Sequence, residues 1–148
     1  MKQRELKFRI AVKTEEGIKF DYYKLEDIDG YSGKSSSSMI GGELLGRDEF
    51  TGYLDKFGKE IYEKDIIKQT WPHKDSKMKE TSSKFFVIFR EYSDEEGDNT
   101  DNHYGWDCQV LENKRSHTLI DIVKPKYPEG SSCEVISNSY QNPELLKD

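Results

Sequence analysis

The chain is poor in the residues that would define a site on their own. It has two cysteines, three histidines and four prolines in 148 residues. Two thiols, Cys108 and Cys133, are too few for a disulfide framework and rule out a four-thiolate zinc site. They read as small buried groups in a reducing compartment. His73, His103 and His117 stand at no zinc-ligand spacing, with each other or with Cys108. No apolar run approaches the ~18 residues of a membrane span, and MKQRELKFRI has no signal-peptide core, so a soluble, cytoplasmic protein without a membrane partner is expected. An excess of basic charge is also missing. The formal net charge of −6 gives no overall attraction to phosphate backbones or anionic lipid, so nucleic-acid binding would need a local basic patch.

What is present is strand material in a polar frame. Charged residues make up 35% and hydrophobic ones 33%, while the 12% of aromatic residues argues against disorder and favours strands. A chain of this length buries roughly 68–70% of its unfolded surface. Residues 5–13 alternate, with Leu6, Phe8, Ile10 and Val12 on one face and Lys7, Arg9 and Lys13 on a polar one. After the turn signal Glu15-Glu16-Gly17, Ile18, Phe20 and Tyr22 alternate with Lys19, Asp21 and Tyr23, which completes an N-terminal hairpin. Gly and Ser then dominate residues 29–42, a flexible loop.

TGYLDKFGKEIYEKDII, residues 51–67, reads as a second hairpin and a corner. Asp55-Lys56-Phe57-Gly58 fits a type I turn closed by a left-handed glycine. Asp65 stands where a short carboxylate accepts backbone N–H groups in a tight bend, and the remaining charges read as mostly solvated. Residues 84–92, apolar on both faces, give the central strand. Tyr104, Trp106, Cys108 and Val110 line one face of the next, and 118–123 and 133–137 are short strands. Asn142, Pro143 and Glu144 mark the start of a C-terminal helix over 143–147, whose Leu145 and Leu146 must dock on the sheet.

Three blocks, RELKFRIAV, TGYLDKFGKEIYEKDII and CEVISNSYQNPELL, together with their order and spacing, make the chain similar to the YopX family, small proteins encoded by phages and prophages of Gram-positive bacteria. The resemblance implies a mainly β fold with a minor α contribution: an N-terminal β-hairpin lobe over 1–48 and an SH3-like small β-barrel with a short C-terminal helix over 49–148. It implies no established activity. Two positions depart from the family pattern, Lys64 and Ser137, where glycines are usual. If position 64 requires φ > 0, lysine there costs on the order of 1 kcal/mol.

Glu60, Glu63 and Asp65 are candidate carboxylates for acid–base work, but alternation separates Glu60 and Tyr62 from Ile61 and Glu63, and turn carboxylates commonly bind backbone. Gly33-Lys34-Ser35-Ser36 lacks the first glycine of a phosphate loop, since Ile28 stands there. No nucleophile motif is found, and no catalytic residue, metal site or cofactor is expected. The candidate contact residues are the basic loop Lys68, Trp71, Lys74, Lys77, Lys79 and Lys84 and the acidic loop Asp94, Glu95, Glu96, Asp98 and Asp101. The acidic loop lacks calcium-loop spacing. Opposite charge on loops flanking one strand suggests contact between copies in a homo-oligomer. The expected function is therefore a non-enzymatic, phage-encoded accessory protein that binds itself and a phage or host protein. The alternative is a nucleic-acid-binding module that uses the barrel and the Lys68–Lys84 loop.

Overall fold

A computed structural model of the chain describes residues 6–24, 42–71, 81–93, 102–123 and 131–146. The fold is mainly β. The strands in chain order are β1 (Lys7–Thr14), β2 (Gly17–Lys24), β3 (Glu43–Leu54), β4 (Glu60–Tyr62), β5 (Asp65–Trp71), β6 (Thr81–Ser93), β7 (Asn102–Val110), β8 (Ser116–Thr118) and β9 (Ser132–Asn138). A single α-helical turn, α1 (Leu119–Val123), follows β8, and a 3₁₀ turn spans Pro143–Leu146. One sheet has the order β2-β1-β3-β4 and the other, curled into a half-barrel, β8-β7-β6-β5-β9. The 84–92 stretch is thus the middle strand of the larger sheet, as its two apolar faces require.

The expected boundary between residues 48 and 49 falls inside β3. The first half of β3 pairs with β1 and the second half with β4. Within the second half the register slips, with Phe50 opposite Tyr62 but Leu54 opposite Glu60. Gly52, at φ 89, absorbs the extra residues, and the Thr51 hydroxyl fills the break by donating to the Ile61 carbonyl at 2.7 Å. Such a bulge bends the strand where it pairs with β4.

The main core lies in the half-barrel. Ile61, Ile67, Phe85, Val87, Cys108, Val110, Leu119, Ile122, Cys133 and Val135 form one buried cluster. Both cysteines are free and buried within it. Burial raises the Cys108 thiol well above its usual range and pushes Cys133 up to about 12, so both stay protonated.

Two local expectations are corrected. Residues 118–123 are not a strand: β8 ends at Thr118 and the chain turns helical. The reason is spacing, since Leu119 and Ile122 are buried while Ile120 is 48% exposed, a three-residue period that only a helical turn satisfies. The C-terminal helix begins at Pro143 as expected but is one 3₁₀ turn, with Leu145 and Leu146 half-buried. Four residues are too few for an α-helix to sustain itself.

Candidate functional site

The Asp55 hairpin and the corner after it have the geometry that their residue types require. Asp55 N–H donates to the Lys59 carbonyl at 2.8 Å and Gly58 N–H to the Asp55 carbonyl at 3.0 Å, with Gly58 at φ 80. Asp55 Oδ1 accepts the N–H groups of Phe57 and Lys59, and Oδ2 accepts Val135 N–H on β9 at 3.0 Å. Lys56 N–H adds a bond to the Cys133 carbonyl at 2.9 Å. The turn is thus laced onto the outer edge of β9.

The corner is a junction of four segments. Tyr62 N–H donates to Asp65 Oδ2 at 2.9 Å, which closes the bend. Glu63 N–H reaches the Glu49 carbonyl on β3, Lys64 N–H the Val87 carbonyl on β6, and the Lys64 carbonyl accepts Ser139 N–H from beyond β9. Lys64 makes both of its bonds from φ 67, the left-handed region, so the position does require a positive φ.

Lys56 and Lys59 are exposed as the sequence reading expects, but the two aspartates of this stretch are not solvated, which corrects that reading for them. Asp55 is 8% exposed and Asp65 1%. Arg9, placed by alternation on a polar face, is 4% exposed. Its Nη1 donates to Asp65 Oδ1 at 2.6 Å, its Nε and Nη2 to Asp48 Oδ2 at 3.1 and 2.8 Å, and Nη2 also to the Glu63 carbonyl. The guanidinium lies between the rings of Phe20 and Tyr62, 5.0 and 5.1 Å from their centroids. Asp48 Oδ1 accepts the Tyr140 hydroxyl at 2.8 Å and faces Lys64 Nζ at 3.5 Å. Asn138 aims Tyr140 by accepting the N–H groups of Tyr140 and Gln141 on its side-chain oxygen.

Burial works against the Arg9 charge, but Asp65 and Asp48 outweigh it and hold the guanidinium above its ordinary value. Burial also raises the carboxyl of Asp65, against the pull of Arg9. The Tyr140 phenol moves up by burial and by its bond to Asp48.

The strand parity explains why Arg9 is covered. The β1–β2 register pairs Arg9 with Tyr22 and Ala11 with Phe20. The apolar side of β2 therefore lies on the Arg9 face of the hairpin, not on the Phe8, Ile10 and Val12 face. Both faces are packed.

Of the three candidate acid–base residues, Glu60 accepts Lys7 Nζ at 3.1 Å and the Tyr62 hydroxyl at 2.9 Å, the shared face that alternation predicts. Glu63 is half-buried, and its carboxyl is raised by burial and by the nearby Asp48 and Glu49 charges against Lys64. The three do not converge on one point as a set. Among the described residues, no group of three His, Cys, Asp or Glu is placed to hold a metal ion.

Of the candidate contact residues, Lys68, Trp71 and Lys84 are described. Lys68 pairs directly with Lys84 across β5 and β6 and with Glu134 across β5 and β9. Lys56 Nζ lies 3.8 Å from Glu134. Lys74, Lys77, Lys79, Asp94, Glu95, Glu96, Asp98 and Asp101 lie outside the described residues. Among the described residues no helix is long and apolar enough to cross a membrane.

Sequence reasoning missed Arg9, Asp48 and Tyr140 as a unit. The available signal was a single arginine among the lysines of β1, since a planar fork suits buried bidentate pairing. Beside this network a pocket of about 670 Å³ opens between β2, the turn before β4 and the end of β9. Its lining includes Tyr22, Lys59, Tyr62, Asn138 and Gln141.

No curated protein matches the chain. The crystal structure of protein EF1440 from Enterococcus faecalis is similar at 19% sequence identity and a TM-score of 0.41, covering 96% of this chain and 98% of that one. The model of the family described as YopX protein matches residues 2–147, nearly the whole length. The chain belongs to the YopX family.

Proposed function

We propose that this is a phage- or prophage-encoded accessory protein of the host cytoplasm that works by protein contacts, as a homo-oligomer, without catalysing a reaction. The supporting observation is how the charges of the Arg9 network are used. Arg9, Asp48 and Asp65 satisfy one another and nearby backbone groups, with side chains 5%, 0% and 2% exposed. A general acid or base needs a proton that can be exchanged with a substrate, and these carboxylates face a guanidinium, a phenol and backbone N–H groups instead. Their role is to join β1, β3, the corner and the C-terminal segment.

The test is affinity capture of the tagged protein from phage-infected host lysate, with and without nuclease, together with its mass in solution by light scattering. Protein partners that survive nuclease and a mass above that of one chain support the reading. A monomer that turns over a substrate refutes it. Simultaneous charge reversal of Lys74, Lys77 and Lys79 lowers the mass if the two loops meet between copies; an unchanged mass removes that part of the proposal.

A second reading, nucleic-acid binding, is favoured by one observation. Like charges directly opposite on neighbouring strands destabilise a sheet, yet Lys68 faces Lys84. Lys68, Lys84 and the half-buried Trp71 would then supply the described part of a basic, aromatic surface. That reading requires partners lost on nuclease treatment and an affinity that falls steeply with salt, less so once the lysines are neutralised.

A further inference from the structure

The pocket beside the Arg9 network differs in character from the rest of the surface. Arg9, Lys7, Lys24 and Lys59 line it against two acids, Glu60 and Asp65, so cations exceed acids by two in a chain whose net charge is −6. Its volume of about 670 Å³ falls inside the roughly 300–1,000 Å³ range of small-ligand sites. Three groups in it remain available. Tyr22 is 57% exposed, and its ring rests at a tilt on Tyr62, centroids 5.5 Å apart. Lys59 is exposed and makes no ion pair among the described residues. The Gln141 side-chain oxygen accepts from Asn138 Nδ2 at 3.0 Å, which leaves its amide N–H groups to donate elsewhere.

The committed groups limit what fits. Arg9 is held by Asp48 and Asp65, so it cannot fork onto a phosphate. Glu60 and Asp65 in the same wall oppose a dianion. An exposed tyrosine, one ammonium and an amide donor suit a flat apolar ring with one negative charge beside it.

We propose that this pocket binds an aromatic group carrying a single carboxylate, the chemistry of a peptide ending in an aromatic residue or of a free aromatic acid. The proposal goes beyond the accessory role above and stands apart from it, because the pocket can bind its ligand whether or not the lysate capture yields a partner.

The experiment is a titration of the full chain, followed by amide chemical shifts, with N-acetyl-tryptophan, with N-acetyl-tryptophanamide and with a tetrapeptide ending in tryptophan. At the efficiency of ordinary drug-sized ligands the acid half-saturates at about 0.1 mM, with shifts at Tyr22, Tyr62, Asn138 and Gln141. The amide, which lacks the charge, binds about tenfold more weakly. Lys59→Glu and Tyr22→Ala each weaken the acid, while unchanged melting shows that these exposed sites leave the fold intact. A tetrapeptide tighter than the free acid identifies a chain terminus as the ligand; equal or weaker binding identifies a free acid. Absence of saturable shifts at the pocket by about 2 mM, or equal affinity for acid and amide, overturns the proposal.

Discussion

Replacing Arg9 with methionine removes the charge at the centre of the network while keeping an apolar stem between Phe20 and Tyr62. Asp48 and Asp65 are then left buried without their shared cation, with side chains 0% and 2% exposed. Breaking a buried ion pair from one side costs about 3–5 kcal/mol, because the remaining charge has no compensation. In a chain of this size each kcal/mol lowers the melting temperature by roughly 3 °C, so Arg9→Met is expected to melt about 10 °C lower or more. A second arm isolates the coupling. Asp65→Asn destabilises on its own, but combined with Arg9→Met it adds far less than its separate cost, with a coupling of about 2–3 kcal/mol. Circular dichroism melts and urea titrations of the four chains measure both quantities. A loss under about 1 kcal/mol for Arg9→Met, or additivity within about 0.5 kcal/mol, refutes the view that these residues act as one structural unit.

Three further outcomes are expected. Lys64→Gly is more stable than Lys64→Ala by about 1 kcal/mol, because φ 67 is strained for alanine and neither variant reaches Asp48; an equal or more stable alanine variant in urea titration contradicts this. Asp55→Ala leaves the N–H groups of Phe57, Lys59 and Val135 without their acceptor and lowers stability by about 2–3 kcal/mol; hydrogen exchange that does not accelerate at Val135 sinks the claim that this turn holds the edge of β9. Glu63 has its carboxyl raised in the folded state, so the fold takes up a proton there and loses stability as pH rises through the folded pKa. Glu63→Gln should therefore stabilise the chain at pH 7, with the gain shrinking as pH falls through the raised folded pKa toward the usual glutamate range and gone below it; a gain that grows on acidification would reverse the sign.

Much of the architecture was legible because it rests on local rules. Glycine after Asp55-Lys56-Phe57, alternation in β1 and β2 and the doubly apolar β6 each specify one element from its own residues. Asp65 was assigned a bend and holds one. The buried network was harder to read because its members lie far apart in sequence: Arg9 meets residues 39 and 56 positions away, and Tyr140 meets one 92 positions away. Part of it was nevertheless available. A two-residue turn at Glu15-Glu16 pairs odd residues of β1 with even residues of β2, which alone puts Phe20 and Tyr22 on the Arg9 face. The helical turn at Leu119–Val123 was obscured because Leu119, Ile120, Ile122 and Val123, in so short a segment, fit both periods.

The late position of Tyr140 sets an order of events for a chain emerging from the ribosome. The hairpin β1–β2 can pair as soon as it is made, and Arg9 finds both of its carboxylates once residue 65 is out. Asp48 waits longer, since its hydroxyl donor is Tyr140, and the corner waits for Ser139 to reach the Lys64 carbonyl. Strand β9, which completes one flank of the half-barrel and covers β5, arrives last among the strands. Until then Asp48 lacks its hydroxyl donor and β5 has an open edge, the kind of intermediate that invites pairing with a neighbour. Native closure thus waits for β9 and Tyr140, and it depends on contacts of high sequence separation that form slowly.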